Sequence, residues 1–213
     1  MKKILFDVGA NIGQSILKFL RDGVIDESWE IFCFEPNPTA FKILKSRLDE
    51  KKIKAVLNSS AAWNEDCNKN MTIELVPNEF WCPIENKCIA SNSDIGLHSN
   101  IMGSDFETPD YFKGYEHLLK RDNIQVQCID FSQFFKSKVN SGDIVILKLD
   151  CEGAEYQILN KMIQDDTLKM VNELYVEFHL RFLTEEARNT KIYNHNELYQ
   201  KIKDHGIIPK GWE

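Results

Sequence analysis

Residues 4–14 read Ile-Leu-Phe-Asp-Val-Gly-Ala-Asn-Ile-Gly-Gln, and the fold is decided by this stretch. Ile4 to Val8 is a short apolar run interrupted only by Asp7, as expected of a strand buried in a parallel sheet. Gly9 and Gly13 bracket a turn, and an amphipathic helix is expected over 12–22 with Ile12, Ile16, Leu17 and Leu20 on one face. Glycine has no Cβ and tolerates unusual φ, so such a turn brings backbone close to a ligand. The helix leaving it aims unpaired N–H groups into the same crevice. Asp7 adds a carboxylate at the carboxyl end of the strand, and the stretch reads as half of a nucleotide-type cofactor site.

Outward from that corner, strands and helices alternate. Glu30 to Glu35 is a second strand, ended by Pro36 and Pro38. Thr39 is the expected N-cap of a helix carrying Phe41, Leu44 and Leu48 on one side. Lys54 to Leu57 is a third strand, leading into Asn58-Ser-Ser-Ala-Ala62. This order predicts an α/β fold, an open and mostly parallel sheet with helices on both faces.

Residues 64–123 break the rhythm. Met71 to Val76 alternates like a strand, but 77–115 is rich in Asn, Ser, Asp and aromatics. It reads either as an irregular acceptor-side insertion or as a solvated surface loop. Trp81, His98, Tyr111 and Tyr115 would stack on an acceptor such as a sugar ring in the first case and pack the loop in the second.

Order returns with a strand at Ile124–Ile129 and a short helix at Phe131–Lys136. Asp143 to Asp150 is the most hydrophobic strand and hence the expected centre. A helix after Glu152 buries Ile158, Leu159, Met162 and Ile163. Glu173 to His179 is the next strand, and a helix around Asn196–His205 follows. The 213 residues read as a single domain without repeats or linker. A first strand at the very start and another beginning after Gly206 suggest a domain cut from a longer polypeptide.

Composition bounds the function. Hydrophobic content of 43% and charged content of 28% are those of an ordinary globular protein, and the net charge of −7 argues against a nucleic-acid partner. No run approaches the roughly 18 apolar residues of a membrane span, and the apolar stretch behind Lys2 and Lys3 stops at Asp7, too early for a secretory signal. Cys33, Cys67, Cys82, Cys88, Cys128 and Cys151 form no C-x-x-C and no regular framework, which fits a reducing, cytoplasmic setting.

In a parallel sheet, ligands bind at the carboxyl ends of the strands, near the switch in strand order. Asp7, Glu35, Asp150, Glu152, Glu177 and His179 all fall there. Glu35 is placed to accept hydrogen bonds from the vicinal hydroxyls of a ribose. Asn11 stands where a dinucleotide fingerprint needs its second glycine, and Asp7 would repel a pyrophosphate. S-adenosylmethionine has no phosphate, and its ammonium would suit Asp7. Lys148, inside a strand this apolar, needs a carboxylate partner from Asp150, Glu152 or Glu177, and reads either as part of the reactive centre or as a structural ion pair. His179 is a candidate base, substrate contact or structural histidine. Asp150, Glu152, Glu177 and His179 together would also suit Mg²⁺ or Mn²⁺, although no spacing requires a metal. Arg181, Arg188 and Lys191 read as a solvated face.

Five stretches then carry a family resemblance. They are Asp7-Val-Gly-Ala-Asn-Ile-Gly13, Phe34-Glu-Pro-Asn-Pro38, Cys128-Ile-Asp-Phe131, Leu147-Lys-Leu-Asp-Cys-Glu-Gly-Ala-Glu155 and Val176-Glu-Phe-His179. In this order they resemble the FkbM-type methyltransferases. The resemblance implies a class I, Rossmann-like fold, S-adenosylmethionine as donor, and O-methylation of a hydroxyl on a sugar, glycan or other small natural product. It also implies a chain often joined to a glycosyltransferase. By position, Asp7, Gly9, Asn11 and Gly13 would line the methionine end of the donor and Glu35 its ribose. Asn37 with Ser60 and Ala61 would flank the adenine. The Lys148-x-Asp150-x-Glu152-Gly run would face the transferring methyl. Two departures stand out: the long irregular region 64–123, and no evident closing strand pair after residue 206.

The expected function is therefore an S-adenosylmethionine-dependent O-methyltransferase, with Asp150 or His179 as base and Lys148 and Glu152 orienting. The alternatives are an NAD-dependent oxidoreductase, disfavoured by Asn11 and Asp7, an RNA ribose methyltransferase, disfavoured by charge, and a non-catalytic module that binds S-adenosylmethionine.

Overall fold

β1 (Lys3–Val8) lies inside a six-stranded sheet with β2 (Glu30–Phe34) and β3 (Val56–Asn58) on one side. On the other side are β10 (Ile144–Leu149), β11 (Glu173–Val176) and β12 (Lys210–Gly211). Every pairing in this sheet is parallel. The computed structural model describes residues 1–75, 81–82, 87–88, 96–100 and 120–212. The chain runs outward from β1 to β3 and then resumes on the far side at β10. The crevice between the carboxyl ends of β1 and β10 is thus the switch point where such sheets bind ligands.

Period-two alternation sorts the strand residues into two layers. Ile4, Phe6 and Val8 with Phe32, Phe34, Val145, Leu147 and Leu149 share a core with α3 (Phe131–Lys138), α4 (Glu155–Gln164), α5 (Glu185–Arg188) and α6 (His195–Asp204). Phe6 stacks on Phe32 at 5.1 Å and meets Phe131 edge-on at 5.8 Å, aromatic pairing that fixes this layer. Leu5, Ile31, Cys33 and Ile146 face α1 (Gln14–Arg21) and α2 (Pro38–Glu50). By the same alternation Asp7 and Lys148, paired in register, fall on this second face. Helices therefore cover both faces, as expected. The sheet carries one short strand beyond β11, in the segment that begins after Gly206.

Several boundaries differ from the expectation. α1 starts after the glycine turn and buries Ser15, Ile16 and Phe19, leaving Ile12, Leu17 and Leu20 half-buried. α2 is capped by Asn37, not Thr39: Asn37 Oδ1 accepts the N–H groups of Thr39 (3.0 Å) and Ala40 (3.3 Å), with Pro38 in the first turn. β11 stops at Val176, so Glu177 and His179 lie past its end.

The largest difference concerns residues 58–130. β4 (Ala61–Trp63), β5 (Cys67–Leu75), β8 (Gly96–Asn100) and β9 (Lys120–Asp130) form a second sheet in the order β4-β9-β5-β8. β6 (Trp81–Cys82) pairs with β7 (Lys87–Cys88). Ala61, expected with Ser60 in a turn beside the adenine, instead begins β4 and is 3% exposed, and Ala62 follows it in the strand at 5%. β5 and β9 pair antiparallel from Cys67 opposite Cys128 to Leu75 opposite Lys120, which bears out strands around Met71 and Ile124 and extends them through 67–70 and 120–123. Most of 77–115 lies outside the described residues, as do the side chains of Trp81, His98, Tyr111 and Tyr115. Among the described residues no helix is long and apolar enough to cross a membrane.

The capping geometry makes a first prediction. Asn37→Ala should cost about 1–2 kcal/mol in urea unfolding, whereas Thr39→Ala, on the surface, should cost less than about 0.5 kcal/mol.

Candidate active site

At the switch point a lysine is buried beneath the glycine turn. Lys148 and Asp7 are directly opposed on β10 and β1, and their side chains are 2% and 0% exposed. Lys148 Nζ stands 3.2 Å from Asp7 Oδ1 and 3.3 Å from Asp150 Oδ2, and donates to the carbonyl of Gly9 at 2.7 Å. Asp7 Oδ2 accepts the hydroxyl of Ser15. The Trp212 ring, past β12, lies 5.6 Å from the ammonium. Burial alone would lower the lysine's pKa, but Asp7 and then Asp150 outweigh it and raise the value, so the charge is kept. The expected partner Asp150 is present. Glu152 and Glu177 are gathered around His179 instead, and Asp7, which was not expected, joins Asp150 at the lysine. Asp7, for which the sequence suggested a ligand's ammonium, contacts the internal ammonium of Lys148 and the hydroxyl of Ser15.

Gly9 is glycine for a reason internal to the protein. Its φ is +74°, and a Cβ there would sit 1.7 Å from the carbonyl oxygen of Asp150. The turn is pressed against the end of β10, an approach only glycine permits. Gly13, at φ +87°, begins α1, and a Cβ on it would lie 3.0 Å from Leu44 Cδ1.

Glu35 holds the other flank of the turn. It is 6% exposed, and its two oxygens accept the backbone N–H groups of Asn11 and Asn37, each at 2.8 Å. Burial raises its pKa from 4.5 to about 7, only partly offset by those two N–H groups. Each oxygen keeps lone-pair capacity for a further donor. Asn11 has φ +47°, and its Oδ1 is buried without a hydrogen-bond partner. Asn37 spends its Oδ1 on α2. The Glu35 N–H donates to the carbonyl of Asn58 at 3.0 Å, and Asn58 Oδ1 accepts the Ser60 N–H at 2.8 Å, so this corner adjoins Glu35.

A second polar group surrounds His179, 3% exposed. Glu155, fully buried, accepts the N–H of Cys151 at 2.7 Å and of Gly153 at 3.0 Å, and contacts His179 Nδ1 at 3.0 Å. Nε2 faces Glu152 Oε2 and Glu177 Oε1, each at 3.5 Å, and Asp150 Oδ1 at 3.8 Å. Burial by itself would lower the imidazole's pKa, but Glu155, then Glu152 and Asp150, lift it to about 10. The surrounding carboxylates therefore favour the protonated imidazole, and His179 is enclosed behind Asp150, Glu152 and Glu177. Glu152 reaches it from a tight loop in which Glu152 (φ +52°) and Gly153 (φ +99°) are both left-handed. Cys151, in the same loop, has its thiol pKa pushed up by burial and by Glu155, which disfavours the thiolate.

Asp150 is shared by the two groups, one oxygen toward Lys148 and the other toward His179. The exposed rim is acidic: Asp150, Glu152 and Glu177 keep 27%, 17% and 29% of their side-chain surface, while Lys148 and His179 are enclosed behind them. Sequence reading gave Glu155 no role and left Glu177 out of the reactive set. An acid in the first turn of α4, just after a glycine loop, was the available signal for Glu155.

Sheet order and the acids gathered at its reversal define a Rossmann-like α/β domain with a candidate ligand site at the switch point. The chain belongs to the FkbM methyltransferase family, since the Methyltransferase FkbM domain matches residues 7–208. It is similar to the crystal structure of the methyltransferase FkbM from Methylobacillus flagellatus KT, with a TM-score of 0.48 and 11% identity over 95% of this chain. The chain spans 38% of that protein's length. No curated protein matches it.

Two outcomes follow from the buried charges. Lys148→Met should cost about 3–5 kcal/mol by leaving Asp7 unpaired, and adding Asp7→Asn should recover most of that loss in chemical denaturation. Glu35 has a folded pKa above its ordinary 4.5, so its contribution to stability is complete below that pH and is lost as pH rises through about 7. Between pH 5 and 8 the wild type should lose up to about 3 kcal/mol that Glu35→Gln does not lose.

Proposed function

We propose that this domain is an S-adenosylmethionine-dependent O-methyltransferase acting on a hydroxyl of a sugar, glycan or other small natural product. The observation that carries this reading is Asp150, half-buried at the switch point with one oxygen anchored on Lys148 and the other directed to the acidic rim. The donor's fit rests on two features of the glycine turn. Asn11 Oδ1 is a buried acceptor in need of a donor, and Glu35 retains acceptor capacity beside it. These two residues would take the ammonium and ribose hydroxyls, and the surplus of carboxylates favours a cationic compound over a pyrophosphate.

The donor supplies a methyl group already activated on a sulfonium. The protein's own task is then alignment and proton removal. Asp150 accepts the proton of the acceptor hydroxyl. Lys148, enclosed beneath it, is a positioning residue that fixes the orientation of that carboxylate. Glu152 acts alongside through His179, which Glu155 holds in place.

The test is methyl transfer from S-adenosylmethionine to a panel of mono- and oligosaccharides, with donor affinity measured separately by calorimetry. Asp150→Asn should lower turnover by about 100-fold or more and leave donor affinity within a few-fold. Glu35→Ala should weaken the donor by about tenfold or more, the loss expected of two charge-assisted hydrogen bonds. The reverse pattern, or tighter binding of NAD than of S-adenosylmethionine, would overturn the reading.

A further inference from the structure

We infer that Asp150, Glu177 and His179 form a binding site for a divalent cation of the Mn²⁺ type, at the rim of the crevice. One donor atom from each residue lies within 4.8 Å of the others. Donors around such an ion at about 2.1–2.2 Å stand roughly 3–4.4 Å apart, so little closure is required.

The carboxylates alone would not make a site. The independent observation is the histidine. His179 is 3% exposed, its Nδ1 is fixed by the fully buried Glu155 at 3.0 Å, and its Nε2 is turned into the group with no oxygen nearer than 3.5 Å. Histidines that ligate metals are oriented in this way, with the remaining ring nitrogen held by a carboxylate. Glu155 is itself fixed by the Cys151 and Gly153 N–H groups, so the imidazole cannot easily turn away.

Charge points the same way. Asp150, Glu152, Glu155 and Glu177 meet Lys148 and His179 inside and Arg181 at the surface, where Arg181 Nη2 lies 3.2 Å from Glu177 Oε1. An ion on Nε2 takes the place of the proton there, which leaves to solvent. Lys148 lies against Asp150 Oδ2, so the ion takes Oδ1, the oxygen nearer His179, whose second lone pair still faces an acceptor hydroxyl. A donor set of two carboxylates and one imidazole suits Mn²⁺ and leaves coordination positions for water or the oxygens of an acceptor.

The experiment titrates chelator-treated protein with Mn²⁺ and follows the loss of the free-ion signal by electron paramagnetic resonance. One equivalent should bind. His179→Ala and Glu177→Gln should each weaken binding at least tenfold, and Glu155→Gln should do so through the histidine. Glu197→Gln on α6 should bind as the wild type does. Glu177 is partly exposed, so its variant keeps the test valid if the histidine variant fails to fold. No uptake at millimolar Mn²⁺, or uptake unchanged in Glu177→Gln, would overturn the inference. The readout is the ion itself, so this failure would not touch the methyl-transfer reading.

Discussion

A lysine ammonium enclosed at the centre of a parallel sheet is the constraint on which the rest of the structure depends. Taking such a charge out of water costs several kcal/mol, and only close partners offset it. Lys148 has three: Asp7 from the adjacent strand, Asp150 from the end of its own, and the Gly9 carbonyl from the turn above. Each partner is then fixed in turn. The register of β1 against β10 must set Asp7 opposite Lys148, and Gly9 must bring its carbonyl down. That descent presses its Cα against the Asp150 backbone, where no side chain fits. A cationic anchor, a strand register and a glycine are thus three expressions of one requirement.

The same geometry divides labour at the crevice. Lys148 and His179 are enclosed with Asp7 and Glu155, while Asp150, Glu152 and Glu177 face outward, so the opening is acidic. Among the described residues, Asp150 lies within 4 Å of both Lys148 Nζ and His179 Nε2. Its two oxygens are distinguished by their surroundings, one toward a fixed ammonium and the other toward the rim. A carboxylate held from behind by Lys148 keeps its orientation at the rim.

What the sequence revealed and what it hid divide along a physical line. β1, β10 and the helices behind them were legible because their periodicity is local and strong. The acids at the strand ends were legible because strand interiors are otherwise apolar. The Asp7 partner of Lys148 was not, since it depends on the register of two strands distant in sequence. β4 was hidden because Ala61 and Ala62 read equally as a turn, and only burial against β9 makes them strand. The first half of β5, Cys67-Asn-Lys-Asn70, is too polar to announce a strand, and its antiparallel partner β9 supplies what the residues do not. Thr39 looked like a cap because Asn37 lay between two prolines, where a helix start is hard to place by pattern alone.

Glu35 and Lys148 together explain how a turn with almost no side chains of its own keeps its shape. From below, Lys148 holds the Gly9 carbonyl, and from the side Glu35 holds the Asn11 N–H. Phe34 contributes a third tie, its carbonyl accepting the N–H groups of both Gly9 and Ala10 at 3.0 Å. Residues 9–11 are therefore fixed through backbone atoms, which is why Asn11 can sit at positive φ with its side-chain oxygen left over. A ligand entering this corner meets a surface already ordered, so the conformational entropy of the turn has been spent in folding rather than in binding. Burial lifts the Glu35 carboxyl toward neutral pH, so a donor or a cation arriving at this corner would draw it back toward its charged form.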